Sequence, residues 1–159
     1  MPSPEGKARE NIDRQLEAAG WDVQDRERMN PTAATGVAVR EFHLKSGYTD
    51  YMLYLDGRAA GVIEAKREGR TLSGVETQSQ KYTENLPDSI PHYHLPLPFS
   101  YESTGRETFF TNQLDPSPRS RRVFTFHRPE ELLRMVRLGK DQLRANLQLM
   151  PPLQTGGLW

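Results

Sequence analysis

The sequence predicts an α/β domain with a mixed central sheet flanked by helices, and three observations carry that expectation. Helix-like and strand-like segments succeed one another in the order helix, three strands, helix, further strands, helix. The 159 residues are 35% hydrophobic and 26% charged, which suits one ordinary domain with a real core. No apolar run approaches the roughly 18 residues of a membrane span, and "MPSPEGKAREN" lacks the apolar stretch of a secretory signal, so a cytoplasmic protein is expected.

Each element has a local reason. In "SPEGKARENIDRQLEAAGW", Ser3 is placed as N-cap and Pro4 at the first helical position, and Ala8, Ile12, Leu16 and Ala19 recur at helical spacing up to Gly20. "GVAVREFHL", "YTDYMLYLDG" and "AAGVIEAK" are β-branched, aromatic or aliphatic runs separated by turn residues, and read as three successive strands. "TLSGVETQSQKYTENLP", with Ser73 and Glu76 as a capping box, reads as a helix that stops near Leu86 because Pro87 follows. "PHYHLPLPF" is a loop, "FSYEST" and "ETFFTN" a hairpin, "RRVFTF" a short strand, and "RPEELLRMVRL" a helix introduced by Pro129. Residues 1–150 are expected to form the domain, and the Pro- and Gly-rich residues 151–159 to begin a linker toward a downstream domain.

Composition narrows the chemistry. Without cysteine there are no disulfides, thiolate zinc sites or cysteine nucleophiles, which leaves carboxylates and histidines to bind a metal. The net charge is zero but uneven: residues 116–159 hold eight Arg or Lys against three acids, and residues 1–115 hold 13 against 18. Arg119, Arg121, Arg122 and Arg128 cluster in "SPRSRRVFTFHR", which suits either a phosphate-contacting surface or a solvated basic face. A neutral domain gains little DNA affinity from its overall field, so another component is expected to hold any DNA substrate.

Two Glu-x-Lys patterns occur where composition alone predicts roughly 0.4. Glu5 and Lys7 lie in the first turn of the first helix, where residues two apart point about 200° apart and cannot converge. Glu5 there is explained by the helix's positive end. Glu64 and Lys66 lie on a strand and share a face, with Ile63 and Ala65 directed the other way. Whether Asp50, on the preceding strand, joins them depends on the turn at Asp56-Gly57. A two-residue loop sets Asp50 opposite Ile63 and the carboxylates on opposite faces; a three-residue loop with a bulge pairs Asp50 with Val62 and brings them to one face. The sequence permits both. Two carboxylates and a lysine on one face suit metal-assisted phosphodiester hydrolysis, Asp50 and Glu64 holding Mg²⁺ and Lys66 orienting or activating the attacking water, or neutralising the scissile phosphate. The bland reading is a hairpin with a surface salt bridge. His92 and His94, a His-x-His pair on a loop without partners, are the rival metal site.

"GYTDYMLYLDGRAAGVIEAKREG" followed by "ETQSQKY" resembles the PD-(D/E)XK nucleases, and specifically the N-terminal nuclease domain of the R subunit, the motor and cleavage subunit of type I restriction enzymes. "ARENIDRQLEAAGW", "LPFSYESTGRETFFTN" and "FTFHRPEEL" are similar to that family's first helix and later elements, so the likeness spans essentially the whole chain. The resemblance implies a restriction-endonuclease-like core and a Mg²⁺-dependent DNA endonuclease, with Asp50, Glu64 and Lys66 catalytic and Asp50 and Glu64 on the metal. Gln78 and Tyr82 match the family's Q-x-x-x-Y motif, four apart on a helix and able to reach one site or one DNA strand. Glu5 corresponds by this resemblance to an acidic residue of the first helix near the metal, so a capping role and a role supporting the metal site both stand open for it. Thr49, where the motif has proline, is a departure that leaves the ligand chemistry intact. The implied partners are double-stranded DNA, an ATP-driven helicase or translocase domain after Trp159, and methylation and specificity subunits. The chain has no G-x-x-x-x-G-K-[ST] loop, so any ATPase would lie beyond it. Two alternatives stand beside this reading: a catalytically silent docking module of the same fold, and a freestanding repair nuclease or junction resolvase.

Overall fold

The computed structural model describes residues 4–44, 47–66, 90–93 and 97–149. Helix α1 (Pro4–Ala18) is followed by strand β1 (Asp22–Asp25), a 3-10 turn over Arg26–Arg28, and strands β2 (Gly36–Leu44), β3 (Gly47–Leu55) and β4 (Arg58–Ala65). Strands β5 (Phe99–Ser103), β6 (Thr108–Asn112) and β7 (Arg121–Val123) and helix α2 (Pro129–Leu149) complete the described elements. The seven strands form one sheet in chain order, β1 to β7. The β1–β2 and β4–β5 pairs are parallel and the other neighbours antiparallel, so the mixed sheet is as expected.

One face of the sheet receives both described helices. Ile12 and Leu16 of α1 and Leu132 and Val136 of α2 pack on Tyr51, Leu53, Ile63, Phe99, Tyr101 and Phe110. The helical spacing read from Ala8 to Ala19 is therefore the buried stripe of α1, all four residues being buried. The other face carries a second cluster, Val37, Val39, Phe42, Met52, Tyr54, Val62 and Leu97. Because β3 and β4 are apolar on both faces, their runs read as nearly continuous hydrophobic sequence.

A polar clamp ties the end of α1 to the start of α2. The Trp21 indole N–H donates to the His127 carbonyl at 2.8 Å, and the Tyr101 hydroxyl lies 2.6 Å from His127 Nδ1. Burial pushes the Tyr101 phenol well above its usual range and lowers the His127 imidazole. Both shifts favour a neutral pair in which Tyr101 donates and Nδ1 accepts.

Three expectations need correction. Strand β1 was not anticipated, because its ends are the charged Asp22 and Asp25 and only Val23 marks it as apolar. The strand expected over "RRVFTF" stops at Val123, which pairs with Thr108, the first residue of β6, so no partner remains for Phe124 onward. Helix α2 continues past Leu138 to Leu149 through "GKDQLRANLQL", most of which is good helix former. The helix expected from Ser73 to Leu86, the Ser3 cap and residues 151–159 lie outside the described residues.

Candidate active site

Neither register weighed from the sequence is the one formed. Asp56 and Gly57, at φ 50° and 80°, make a two-residue turn that pairs Leu55 with Arg58. Positive φ at both central positions is the primed turn that matches strand twist, and glycine takes the second without strain. Tyr54 then pairs with Ala59 but Leu53 with Gly61, so Ala60 is an extra residue, a β-bulge. Beyond it Met52 faces Val62 and Tyr51 faces Ile63, which sets Asp50 level with Glu64. The turn is the one expected to separate the carboxylates; the bulge undoes that separation.

The structure brings Asp50, Glu64 and Lys66 together at one end of the sheet. Lys66 Nζ lies 2.8 Å from Glu64 Oε1, with side-chain exposures of 17% and 8%. The partial burial removes the bland reading of a surface ion pair, since a charge pair this dry must offset its own desolvation. Asp50 Oδ2 accepts the Ala65 backbone N–H at 2.8 Å, so its carboxylate rests on the strand between Glu64 and Lys66. The Lys66 N–H continues the ladder to Ser103 O at 2.8 Å, fixing the base of the lysine. Thr49, the departure at the proline position, uses its hydroxyl to donate to the Ile63 carbonyl at 3.3 Å, a bond proline could not make.

Two neighbours of the candidate site were missed. Arg9 of α1 donates to Asp50 Oδ1 at 2.6 Å and to Glu41 Oε1 at 3.0 Å, bridging the two carboxylates. Its signal was its place one helical turn after Glu5, on the side of α1 that faces the strand ends. Glu102 pairs in register with Glu64 across the parallel β4–β5 ladder and is buried. An acid inside the apolar "FSYES" was the signal there. Beside Glu41, a cleft of about 370 Å³ lined by Asp25, Arg26, Glu27, Arg40 and Glu41 opens next to the site rather than on it.

Glu64 Oε2 is buried and makes no hydrogen bond among the described residues. A buried carboxylate oxygen without a partner calls for a cation or a water. Among the described residues, no group of three or more His, Asp or Glu side chains converges as a ready-made metal cage. Mg²⁺ does not require one, because it binds one or two carboxylates and completes its shell with water and substrate phosphate. His92 forms an isolated bridge with Ala59, at the turn end of β4 away from Glu64, and His94 lies outside the described residues. Gln78, Tyr82 and the Glu5 side chain also lie outside them; Glu5 itself sits in the first turn of α1.

The family model of the type I restriction enzyme EcoKI endonuclease subunit second domain matches residues 17–136. The type I restriction enzyme EcoKI endonuclease subunit of Escherichia coli (strain K12) is 23% identical over 192 aligned positions, which cover 89% of this chain and 16% of that protein. A fragment structure assigned to the HsdR subunit of a type I restriction enzyme from Vibrio vulnificus YJ016 superposes with a TM-score of 0.63 at 20% identity, over 87% of this chain and 26% of that one. The chain thus spans about a sixth of the length of the curated relative it matches. With three quarters of its residues inside the family model and the same fold in the fragment structure, the chain belongs to the family of the second domain of the type I restriction enzyme EcoKI endonuclease subunit.

Proposed function

We propose that this chain is the DNA-cleaving domain of a type I restriction enzyme R subunit and hydrolyses phosphodiester bonds with Mg²⁺, on a restriction-endonuclease-like (PD-(D/E)XK) core. The observation that carries the reading is the Glu64–Lys66 pair at 2.8 Å with Asp50 held against Ala65 N and one buried Glu64 oxygen left over. Asp50 and Glu64 supply hard oxygen ligands for Mg²⁺, which when bound polarises the phosphoryl group and an attacking water. Lys66, fixed at its backbone by Ser103 and at its tip by Glu64, orients that water or neutralises the scissile phosphate. Gln78 and Tyr82 are assigned to the site or the bound strand, and Glu5 to a supporting place on α1. Double-stranded DNA is the substrate in this reading. The motor domain of the same polypeptide and the methylation and specificity subunits deliver it, in the cytoplasm, with ATP used only by the motor.

One observation favours the second reading, a silent docking module: the Arg9 guanidinium already occupies the place of a cation on Asp50. Lys66→Ala in the assembled enzyme separates the two. Cleavage is expected to be lost while ATP hydrolysis and translocation continue, and cleavage at the unsubstituted rate would end the assignment.

A further inference from the structure

The register of the sheet extends the site well beyond Lys66. Glu64 pairs with Glu102, Glu102 with Phe109, and Phe109 with Arg122, so these four residues form one row across β4 to β7 and share a face of the sheet. The next row, Ala65, Ser103, Thr108 and Val123, is the last before the strands end. Lys66 and Phe124 therefore stand at corresponding places, each one residue past that row at the same end of the sheet. Between them the β5–β6 turn presents the exposed Arg106. Three strand intervals separate the two, about 14 Å, which is close to the length of four nucleotides of one B-form strand at about 3.4 Å rise each.

Arg122 and Phe124 are exposed in a way that edge protection does not explain. Charged side chains on an edge strand discourage pairing with other sheets, and Arg121 and Arg122 would serve for that alone. Phe124, however, is fully exposed, while its neighbours Val123 and Phe126 pack on the core. Among the described residues Arg122 has a long contact with Glu107, at 3.8 Å, with both side chains largely in solvent. An unburied aromatic ring two residues along the chain from the exposed Arg122 combines phosphate attraction with a flat apolar surface.

We propose that Arg122 and Phe124 form the far contact of a DNA track that starts at Lys66, Arg122 holding a backbone phosphate and the Phe124 ring packing on the adjoining sugar and base. The proposal rests on the reading that the Glu64–Lys66 end of the sheet cuts DNA. Half-buried Phe109 lies between the two ends, and Glu107 exchanges its long contact with Arg122 for solvent when phosphate binds.

The test uses the 159-residue chain, a fluorescein-labelled duplex and Ca²⁺ in place of Mg²⁺, with anisotropy followed across a salt series. Arg122→Gln is expected to weaken binding about fivefold and to lower the slope of log affinity against log salt by about one, as loss of one phosphate contact does. Phe124→Ala is expected to weaken binding about tenfold with the slope unchanged, as loss of an uncharged contact does. Arg28→Gln, on the exposed 3-10 turn at the opposite edge, should change neither. All three should melt at the unsubstituted temperature, because each side chain is exposed. Arg122→Gln and Phe124→Ala binding within twofold of the unsubstituted chain, at the same slope, would overturn the track while leaving cleavage at Lys66 standing. Normal DNA binding joined to lost association with the motor polypeptide would overturn it in favour of a protein-docking patch. A chain that cuts DNA in the assembled enzyme yet shows no response at either position in cleavage or binding would also reject it.

Discussion

Both oxygens of Asp50 are engaged, one by the Ala65 N–H and one by the Arg9 guanidinium, and the two bonds have different consequences. The backbone bond positions the carboxylate and is compatible with a metal on the remaining lone pairs. The Arg9 bond competes with a cation, since it supplies positive charge at the same oxygen. Arg9→Gln is therefore expected to tighten Mn²⁺ or Mg²⁺ binding by up to about tenfold, roughly the worth of one charge-assisted hydrogen bond. Isothermal titration of the chain with Mn²⁺ reads this directly, and weaker binding would make Arg9 a support of the metal site instead. Lys66 and Glu64 were legible in the sequence because strand periodicity alone puts them on one face. Arg9 and Glu102 were not, since each reaches the site through a partner far away in the chain, Asp50 in one case and the β4–β5 ladder in the other.

Among the elements, the β3–β4 hairpin decides whether a site exists. Its strands, like β2 and the β5–β6 hairpin, were readable from apolar runs and turn residues, and α1 from its buried stripe. Its register was not, because a bulge at Ala60 has no signature beyond small residues in a strand. The next residue, Gly61, shows why those residues are small: a Cβ there would meet the Phe99 carbonyl oxygen at 2.7 Å. Gly61→Ala must push β4 and β5 apart at that point, and a loss of about 1–3 kcal/mol in urea unfolding is expected. A neutral result would mean that β5 yields freely and that the close approach does not hold the bulge. Strand β1 escaped notice for another reason, its pairing with β2 being backbone hydrogen bonding with little apolar side chain to advertise it.

For the whole molecule, the balance of charge matters more than any one pair. The chain is neutral overall, with an excess of acids before residue 116 offset by an excess of bases from there on, so it has no general field to gather DNA. Alone, it is expected to cut DNA weakly or not at all in Mg²⁺, while the assembled enzyme cuts. Gel analysis of the chain on supercoiled DNA checks this, and robust, sequence-specific cleavage by the chain alone would favour the freestanding nuclease instead. The α/β architecture and the sheet's mixed sense were legible at this scale, since they follow from the order of elements. The common face of β4 to β7 was not, because it depends on four registers at once.

The spatial order of the seven strands is also their order in the chain. Each strand therefore finds its partner already made as synthesis proceeds, and no strand waits to be inserted between two others. The β2–β3 and β3–β4 hairpins, each closed by two residues, have the shortest loops to close and are placed to nucleate the sheet. The frame of Asp50 and Glu64 would then be laid down while β7 is still unmade, and damage to the last strand would leave a protein that folds around these two carboxylates yet, on the track proposed above, grips DNA poorly.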